Sequence, residues 1–385
     1  MSRSETDRPD PTVGNDDEPG TTPATEPGTR PATADQADGA AVVQKRRRRL
    51  RWYSKLAIVV GVLVVVLGGG GAIALKLMSN HYEGMVDRQD ILNGVPTEVP
   101  EVSGEKNTAA KAPLNFLVLG TDDQTDKRVA GLDDRGSRSD TIMIVHVSGD
   151  RKRAFIASIP RDSYVNVPAG GVWGGGKNKI NSAMSFGGAN LAAKAVYDLT
   201  HIPLSGAMIL NLNGVQAMVR AVGGVRVCIP YTVHSAFSPK VWEKGCHDLN
   251  PADAEEFVRQ RKGTPGGDLG RIKNQQHVIQ GLLQKVKQGG MLTDPGKLDN
   301  LISTAAKSLT VDKNTRLTDL ALELKSVDTD HITFATAPIR GTAQTDAGSS
   351  VLLDTKGAEE MFAAIRADRT DEWLAAHPQP EVASL

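Results

Sequence analysis

The fold is decided by the stretch from residue 114 to residue 122, which reads LNFLVLGTD. It is a short apolar run that ends at Gly120 and an acidic turn, and this pattern is typical of a buried strand. Two further runs of the same kind follow, at Thr141–Val147 (TIMIVHV) and Ala154–Ile159 (AFIASI), each bounded by polar turn residues. Together the three runs predict the centre of a β-sheet.

Helical and strand patterns alternate in the rest of this region. Helices are predicted at 189–200, 214–222, 271–287, 315–327 and 355–366, and strands at 207–212, 225–229 and 331–337. A further helix is predicted to begin at Pro251, because Asn250 supplies an N-cap and proline is favoured at the first helical position. The alternation predicts an α/β layered domain with a central mixed β-sheet flanked by helices.

Charged residues lie where the three central strands begin or end. Asp122 follows the first strand, Arg138 and Asp140 precede the second, and Arg161 and Asp162 follow the third. Ligands of open α/β sheets bind in the crevice at the carboxyl ends of strands. If the second strand runs antiparallel to its neighbours, these side chains meet at one edge of the sheet.

A second concentration of polar residues lies between residues 259 and 275. Arg259 and Arg261 would diverge on a helix but align on an extended segment, so the helix that starts at Pro251 is expected to end near Arg259. Arg271 and Gln275 are four residues apart and share one face of the next helix. This spacing predicts a second set of side chains that can act on one ligand.

The arginines of both sets form a candidate cage for a pyrophosphate: Arg138, Arg161, Arg259, Arg261 and Arg271. Arginine suits phosphate because its planar fork donates two parallel hydrogen bonds and keeps its charge. Asp122 and Asp140 supply the hard oxygen ligands that magnesium prefers when it bridges phosphates. The alternative is that both aspartates are ordinary turn residues and that the arginines are solvated or salt-bridged surface groups.

The N-terminal part of the chain has a different composition. The chain of 385 residues has 45 Lys and Arg against 45 Asp and Glu, yet residues 1–44 are acidic and poor in large apolar side chains, which predicts a disordered tail. A basic segment at 45–55 precedes a predicted transmembrane helix at 56–77, whose uncharged run is long enough to cross a hydrocarbon core of about 30 Å. A buried core helix is the alternative.

The positive-inside rule then puts the N-terminus in the cytoplasm and the folded domain outside the cell membrane. The basic segment is expected to contact anionic membrane lipids, and no nucleic-acid partner is predicted. We predict an extracytoplasmic stalk at 78–112, the folded domain at 113–370 and a loose C-terminal tail at 371–385.

Both cysteines of the chain, Cys228 and Cys246, lie in the predicted external region. An oxidising compartment permits a disulfide between them, and the alternative is two unrelated buried thiols.

The polar motifs, in their order and spacing, resemble the signature of the LytR-CpsA-Psr family over about residues 113–288. The matching blocks are Gly120–Asp122, Arg138–Thr141, Ser158–Asp162, Lys179–Ala183 with Gly187-Gly188, Gly223–Val225, Arg259–Arg261, Asp268–Arg271 and Gln275-Gln276. High alanine and glycine with few aromatic residues are typical of an actinobacterial source.

The resemblance implies an enzyme that transfers a glycopolymer from a polyprenyl-pyrophosphate carrier to a peptidoglycan hydroxyl. It implies that Asp122 and Asp140 hold Mg²⁺ (or Mn²⁺) and that the five arginines of the cage, with Gln275, contact the lipid pyrophosphate. Asp122, Asp140 and Arg161 are thereby assigned to catalysis. The isoprenoid tail is expected in an apolar tunnel between sheet and helices. The general base stays open between Asp122, Asp162 and Asp268.

Two departures from the family pattern carry their own expectations. Asn274 stands where the family often has arginine, which predicts one weakened phosphate contact. The loop at 123–136 looks expanded, which predicts a reshaped tunnel mouth or acceptor groove. Two other functions remain open: a polyprenyl-pyrophosphate hydrolase at the same site, and a non-catalytic lipid-binding regulator of the cell envelope.

Overall fold

A computed structural model describes residues 80–97, 111–121, 138–290, 294–316, 320, 323 and 327–378. Its strands are β1 (Asp87–Gln89), β2 (Leu114–Thr121), β3 (Ser139–Val147), β4 (Ala154–Ser158), β5 (Tyr164–Val167), β6 (Gly176–Lys179), β7 (Gly206–Asn211), β8 (Val225–Ile229), β9 (Val233–His234), β10 (Val241–Trp242), β11 (Gly245–Leu249), β12 (Leu309–Asp312), β13 (Ile332–Thr336), β14 (Ile339–Thr345) and β15 (Gly348–Leu353). Its helices are α1 (Ser182–Thr200), α2 (Leu212–Ala221), α3 (Pro251–Arg259), α4 (Asp268–Gln288), α5 (Pro295–Ser308), α6 (Thr355–Arg366) and α7 (Thr370–Ala376).

Within the described residues the largest sheet has seven strands in the order β1-β12-β7-β2-β3-β4-β13. Strand β3 runs antiparallel to both β2 and β4, whereas β7 is parallel to β2 and β13 is parallel to β4. The prediction of a mixed sheet is therefore confirmed. The antiparallel β3 places its first residues at the same edge as the last residues of β2 and β4.

The two faces of this sheet pack against different helices, because side chains alternate along each strand. Leu117 and Leu119 of β2 belong to the core that α1, α6 and α7 cover on one face. On the other face, Met143 and Ile156 pack with Ile279 of α4. The helices therefore flank the sheet on both sides, as the alternation of elements predicted.

Helix α3 shows why the local sequence predicted its start correctly. The Asn250 side chain accepts hydrogen bonds from the backbone N–H groups of Ala252 and Asp253, and Pro251 occupies the first turn, where no intrahelical donor is needed. The helix ends at Arg259, as expected, and Gln260 already has extended backbone angles.

Two predicted boundaries differ from the structure. Residues 80–97 fall in the predicted stalk, yet β1 pairs with β12 and Ile91 is fully buried, so these residues are part of the domain. Residues from Asp371 were predicted to be a loose tail, but α7 packs on the sheet through Trp373, which is 5% exposed. A few large apolar side chains anchor each segment, and such isolated residues give no periodic signal.

Further segments also bear on the predictions. The hairpins β5–β6 and β14–β15 were not predicted from the sequence. Most of the helix predicted at 315–327 lies outside the described residues, and so do the acidic tail, the basic segment and the predicted span at 56–77. Of the helices in the part of the chain that the structure describes, none is long and apolar enough to cross a membrane.

Strands β8 and β11 form an antiparallel pair in which Cys228 lies directly opposite Cys246. The structure joins the two sulfur atoms in a disulfide with a sequence separation of 18. The pair borders a small core in which Phe257 of α3 and Val278 of α4 are buried. The bond therefore fastens the strands against which helices α3 and α4 pack.

Replacing Trp373 by alanine is expected to lower the free energy of unfolding by about 3–5 kcal/mol, because it empties a buried aromatic site in the core. The Trp373 ring lies 6.0 Å from the Phe155 ring, between ring centres. Denaturant unfolding measures the loss, with Trp373→Phe as the control that keeps an aromatic ring. An unchanged unfolding midpoint for the alanine variant would show that α7 does not stabilise the domain.

The double substitution Cys228→Ser with Cys246→Ser is expected to destabilise the domain by about 3 kcal/mol, because the unfolded chain regains the entropy that the closed loop removes. Thermal unfolding of the wild type, with and without reductant, gives the matched comparison. Reductant should lower the melting temperature of the wild type and leave the double variant unchanged. Equal melting temperatures for all samples would contradict a stabilising bond.

Candidate functional site

Four charged side chains from three elements form one ion-pair cluster: Asp140, Arg161, Asp268 and Arg271. Arg161, which follows β4, donates to the carboxylate of Asp140, the second residue of β3. Its Nε also lies 3.1 Å from Oδ1 of Asp268. The antiparallel direction of β3 makes this meeting possible, as the sequence predicted.

Helix α4 supplies the other half of the ion-pair cluster. Asp268 occupies the first position of α4, where a carboxylate is favoured by the helix dipole. Arg271, one turn later, places Nη2 at 3.0 Å from Oδ1 of Asp268 and donates at 2.9 Å to the backbone carbonyl of Asp140. The N-terminal turn of α4 is thereby tied to the beginning of β3.

Burial and charge act in opposite directions on the two arginines. Burial opposes the charged form of Arg161, but Asp140, Asp268 and Asp162 outweigh it and raise its pKa. For Arg271, burial is the stronger effect and lowers the pKa, although Asp268 and Asp140 favour the charge. Both guanidinium groups stay charged near neutral pH, because arginine is not deprotonated in proteins.

A cavity of about 410 Å³ opens beside the ion-pair cluster, between the sheet and helices α2, α3, α4 and α5. Its polar lining is concentrated in predicted site residues: Asp140, Arg259, Arg261, Arg271 and Gln275. Oε1 of Gln275 is buried and has no hydrogen-bond partner within the described part of the chain. This end of the cavity therefore offers guanidinium and amide groups to a ligand.

The sheet contributes a continuous row of cavity-lining residues. Leu309, Leu210, Gly120 and Thr141 are neighbours across β12, β7, β2 and β3, and all four line the cavity. Gly120 is required in this row, because a Cβ there would lie 2.6 Å from Cβ of Thr141. The register of β2 and β3 shifts directly after Gly120, as is common for bulges beside functional sites.

Helix α4 contributes the opposite wall. Arg271 and Gln275 are followed at helical spacing by Val278, Ile279 and Leu282, and all five line the cavity. The shared face of Arg271 and Gln275 is thus as predicted. The apolar wall was missed by the sequence analysis, although extending the same face along α4 by the helical period finds it.

Arg259 is held at the cavity by contacts on two sides. Its Nη1 lies 3.1 Å from Oε1 of Glu255, one turn earlier on α3, and Gln216 of α2 donates to the other oxygen of Glu255. On its other side, its guanidinium carbon lies 4.8 Å from the centre of the Phe237 ring. Phe237 is 58% exposed and also lines the cavity, so this aromatic side chain, too, was missed by the sequence analysis.

The remaining predicted residues divide into three cases. Asp162 lies beside the ion-pair cluster, with Oδ2 at 3.6 Å from Nε of Arg161 and Oδ1 at 3.4 Å from Nζ of Lys179. Arg138 is exposed and is not among the described residues that line the cavity. Asp122 and the loop at 123–136 lie outside the described residues, so their predicted roles stay predictions.

A comparison with known protein families gives a match over this region. The LytR_cpsA_psr family model matches residues 77–367, which include both the sheet and the cavity. This chain belongs to the LytR-CpsA-Psr family. The resemblance inferred from the motifs is thereby confirmed, and the family match extends into residues predicted as stalk.

Two relatives and one solved structure illustrate the similarity. The cell wall biosynthesis protein LcpA of Corynebacterium glutamicum is 29% identical over 292 residues, 67% of this chain and 56% of LcpA. The polyisoprenyl-teichoic acid–peptidoglycan teichoic acid transferase TagU of Enterococcus faecalis is 35% identical over 182 residues, 47% of this chain and 56% of TagU. The chain thus spans a little over half the length of both.

The solved LytR-Csp2A-Psr enzyme of Actinomyces oris has the same fold, with a TM-score of 0.54 and 22% identity over 73% of this chain and 95% of that one.

Asn274, which stands where the LytR-CpsA-Psr pattern often has arginine, does not face the cavity. Asn274 is completely buried, and the cavity lining on α4 passes through Arg271 and Gln275 on either side of it. The buried Asn274 amide itself offers nothing to a ligand in the cavity, and the weakened phosphate contact stays a prediction. An amide at this position points into the protein interior, where its hydrogen bonds are internal.

Burial lowers the pKa of His277 on α4 from 6.5 to about 4, and Lys273 adds a smaller effect in the same direction. Between these two pH values the unfolded chain binds more protons than the folded chain. The free energy of unfolding therefore falls as the pH falls through this window. The full loss from this residue is about 3 kcal/mol.

His277→Gln is expected to flatten the decrease in stability between pH 6.5 and pH 4, because the variant has no imidazole to protonate. Urea unfolding at a series of pH values measures the slope, and His331→Gln serves as the control because His331 is exposed. Parallel curves for the wild type and His277→Gln would contradict the assignment.

Proposed function

We propose that this protein transfers a glycopolymer from a polyprenyl-pyrophosphate carrier to a hydroxyl group of peptidoglycan during cell-wall assembly. The observation that carries the proposal is the amphipathic cavity. Arg259, Arg261 and Arg271 lie at its polar part, and side chains such as Met143, Leu210 and Leu282 form its apolar walls. A lipid pyrophosphate has the same division between a charged head and an apolar chain.

The relatives support this choice of substrate class. The name of TagU describes a transferase that moves teichoic acid from a polyisoprenyl carrier to peptidoglycan, and LcpA is named for cell wall biosynthesis. The chain is 29% identical to LcpA and 35% identical to TagU over the aligned residues. We propose the same classes of donor and acceptor here, with the individual polymer left to experiment.

The proposed reaction is a phosphoryl transfer. The acceptor hydroxyl oxygen forms a bond with the phosphorus nearer the glycan, and the bond from that phosphorus to the bridging oxygen breaks. Polyprenyl phosphate leaves with the electron pair of that bond, and the hydroxyl proton passes to a protein base. The guanidinium groups hold the pyrophosphate in place and offset the negative charge of the leaving phosphate.

Asp162 is the better placed of the described candidate bases. Oδ1 of Asp268 already lies within 3.1 Å of two guanidinium groups. The contacts of Asp162 are longer, at 3.4 Å to Lys179, 3.4 Å to Asn181 and 3.6 Å to Arg161. Its carboxylate therefore has more freedom to accept the proton of an acceptor hydroxyl.

Asp140 fits the chemistry of the divalent cation that the family implies, because its carboxylate lines the cavity and hard oxygen ligands suit magnesium. In the described residues no group of three or more His, Cys, Asp or Glu side chains is arranged to hold a metal ion. We propose that Asp140 and Asp122 together hold Mg²⁺ (or Mn²⁺). Bound there, the ion would neutralise charge on the pyrophosphate.

We further propose that the segment at 56–77 anchors the protein in the cell membrane as a single span, with the N-terminus in the cytoplasm. The basic segment at 45–55 on its cytoplasmic side supports this orientation. The domain would then meet both a membrane-embedded donor and the wall outside the membrane.

The test is transfer of labelled glycan from a polyprenyl-pyrophosphate donor to uncrosslinked peptidoglycan, with magnesium and the full chain in detergent micelles. Arg161→Ala is expected to lower kcat/KM by roughly 10²–10³-fold, because it removes a guanidinium group that the reaction uses. Arg226→Ala is the matched control. Arg226 also pairs with an aspartate, Asp248, but its side chain is 60% exposed on β8.

Label on peptidoglycan that is lost in Arg161→Ala but kept in Arg226→Ala supports the transferase. Release of free glycan phosphate without attachment would favour the hydrolase, in which water replaces the acceptor. Lipid binding without any turnover would favour the non-catalytic regulator.

A further inference from the structure

Three consecutive amide side chains on α4, at Asn274, Gln275 and Gln276, point in three directions. Successive residues of a helix are about 100° apart, so no two of them share a face. Gln275 lines the cavity, whereas Asn274 is 0% exposed and Gln276 is 3% exposed. The two buried amides are not available to a ligand, and their contacts lie on opposite sides of Gln275.

Asn274 ties α4 to the segment that contains Arg259 and Arg261. Its Nδ2 donates at 3.1 Å to the hydroxyl of Thr264 and at 3.4 Å to the backbone carbonyl of Phe257. Phe257 precedes Arg259 in the last turn of α3, and Thr264 follows Arg261. The amide therefore holds the chain on both sides of the two arginines.

Two further contacts make this junction rigid. The hydroxyl of Tyr231 donates to Oδ1 of Asn274 at 3.2 Å, so both polar atoms of the amide are used. Gly270, in the first turn of α4, packs closely on the turn at Thr264. A Cβ at Gly270 would lie 2.5 Å from the methyl carbon of Thr264. The spacing between α4 and this turn is thereby fixed.

Gln276 makes the corresponding connection to the sheet. Its Nε2 donates at 3.1 Å to the hydroxyl of Ser158, the last residue of β4. Arg161 follows only three residues later and joins the ion-pair cluster. Helix α4 thus contacts, through neighbouring amides, the chain beside Arg161 and the chain around Arg259 and Arg261.

We propose that Asn274 and Gln276 are positioning residues that fix the separation of two arginine groups, Arg161 on one side and Arg259 with Arg261 on the other. The inference rests on the proposed function, because the separation matters only if both groups act on one pyrophosphate. A pyrophosphate has a fixed distance between its phosphates, so a preset spacing lowers the cost of binding it.

The experiment measures binding of inorganic pyrophosphate, with magnesium, to the full chain in detergent micelles by calorimetry. Asn274→Ala and Gln276→Ala are each expected to raise Kd by about tenfold, because the arginines lose their preset spacing. Asn115→Ala is the matched control. Asn115 is 1% exposed and its amide is also hydrogen-bonded on both sides, to Pro203 and His146, near the start of β2.

Combining each amide substitution with an arginine substitution distinguishes a positioning role from a general loss of stability. If Asn274 acts through Arg259, then Asn274→Ala should cost clearly less than tenfold in an Arg259→Ala background, whereas independent effects multiply. Gln276→Ala should show the same dependence on Arg161→Ala. Thr264→Val provides a milder variant that removes only the hydroxyl partner of Asn274, and it should raise Kd by about threefold.

The outcomes separate the two proposals. A wild-type protein that binds no pyrophosphate and transfers no label to peptidoglycan overturns the proposed function and this inference with it. Normal binding by the wild type, with Asn274→Ala, Gln276→Ala and Thr264→Val no weaker than Asn115→Ala, overturns only the positioning role. Effects on Kd that multiply fully when an amide substitution is combined with an arginine substitution would also overturn only the positioning role.

Discussion

The buried charge of Arg271 is the constraint on which the site depends. Its side chain is 4% exposed, and a charge at that depth is tolerated only with close partners. Those partners are Asp268 in its own helix and both the carbonyl and the carboxylate of Asp140 on the sheet. The ion pairs and the hydrogen bond of this one guanidinium group therefore fix the N-terminal turn of α4 against the start of β3. Arg161, which follows β4, contacts the same two carboxylates.

Once α4 is fixed at this end, the side-chain periods of the sheet and of α4, which face each other, determine which residues line the cavity. The sheet repeats every second residue, so Gly120 and Val118 face α4 while Leu117 and Leu119 face the other core. The same strand therefore serves the hydrophobic core and the cavity wall. The row of α4 side chains that lines the cavity is polar in the first two turns and apolar beyond Gln275. The change from charged to apolar lining therefore occurs along one helix.

The sequence predicted the polar half of this site far better than the apolar half. Arginines and aspartates at strand ends have few purposes besides ligands and ion pairs, so Asp140, Arg161 and Arg271 could be selected by chemistry and spacing. An apolar residue serves a core or a cavity equally well, and only the three-dimensional arrangement separates Val278 from a core valine. Segments anchored by single large side chains were also missed, as Trp373 shows, because one buried ring leaves no period in the sequence.

Asn274 shows why a family pattern has to be interpreted together with its neighbours. An arginine at this position would bring a fourth charged group to the start of α4, where Arg271 already needs two carboxylates. Here the position instead carries a neutral amide with internal partners, and Tyr231 and Thr264 supply groups that match it. The neutral amide therefore adds no charge beside Arg271, and it joins α4 to the segment that carries Arg259 and Arg261.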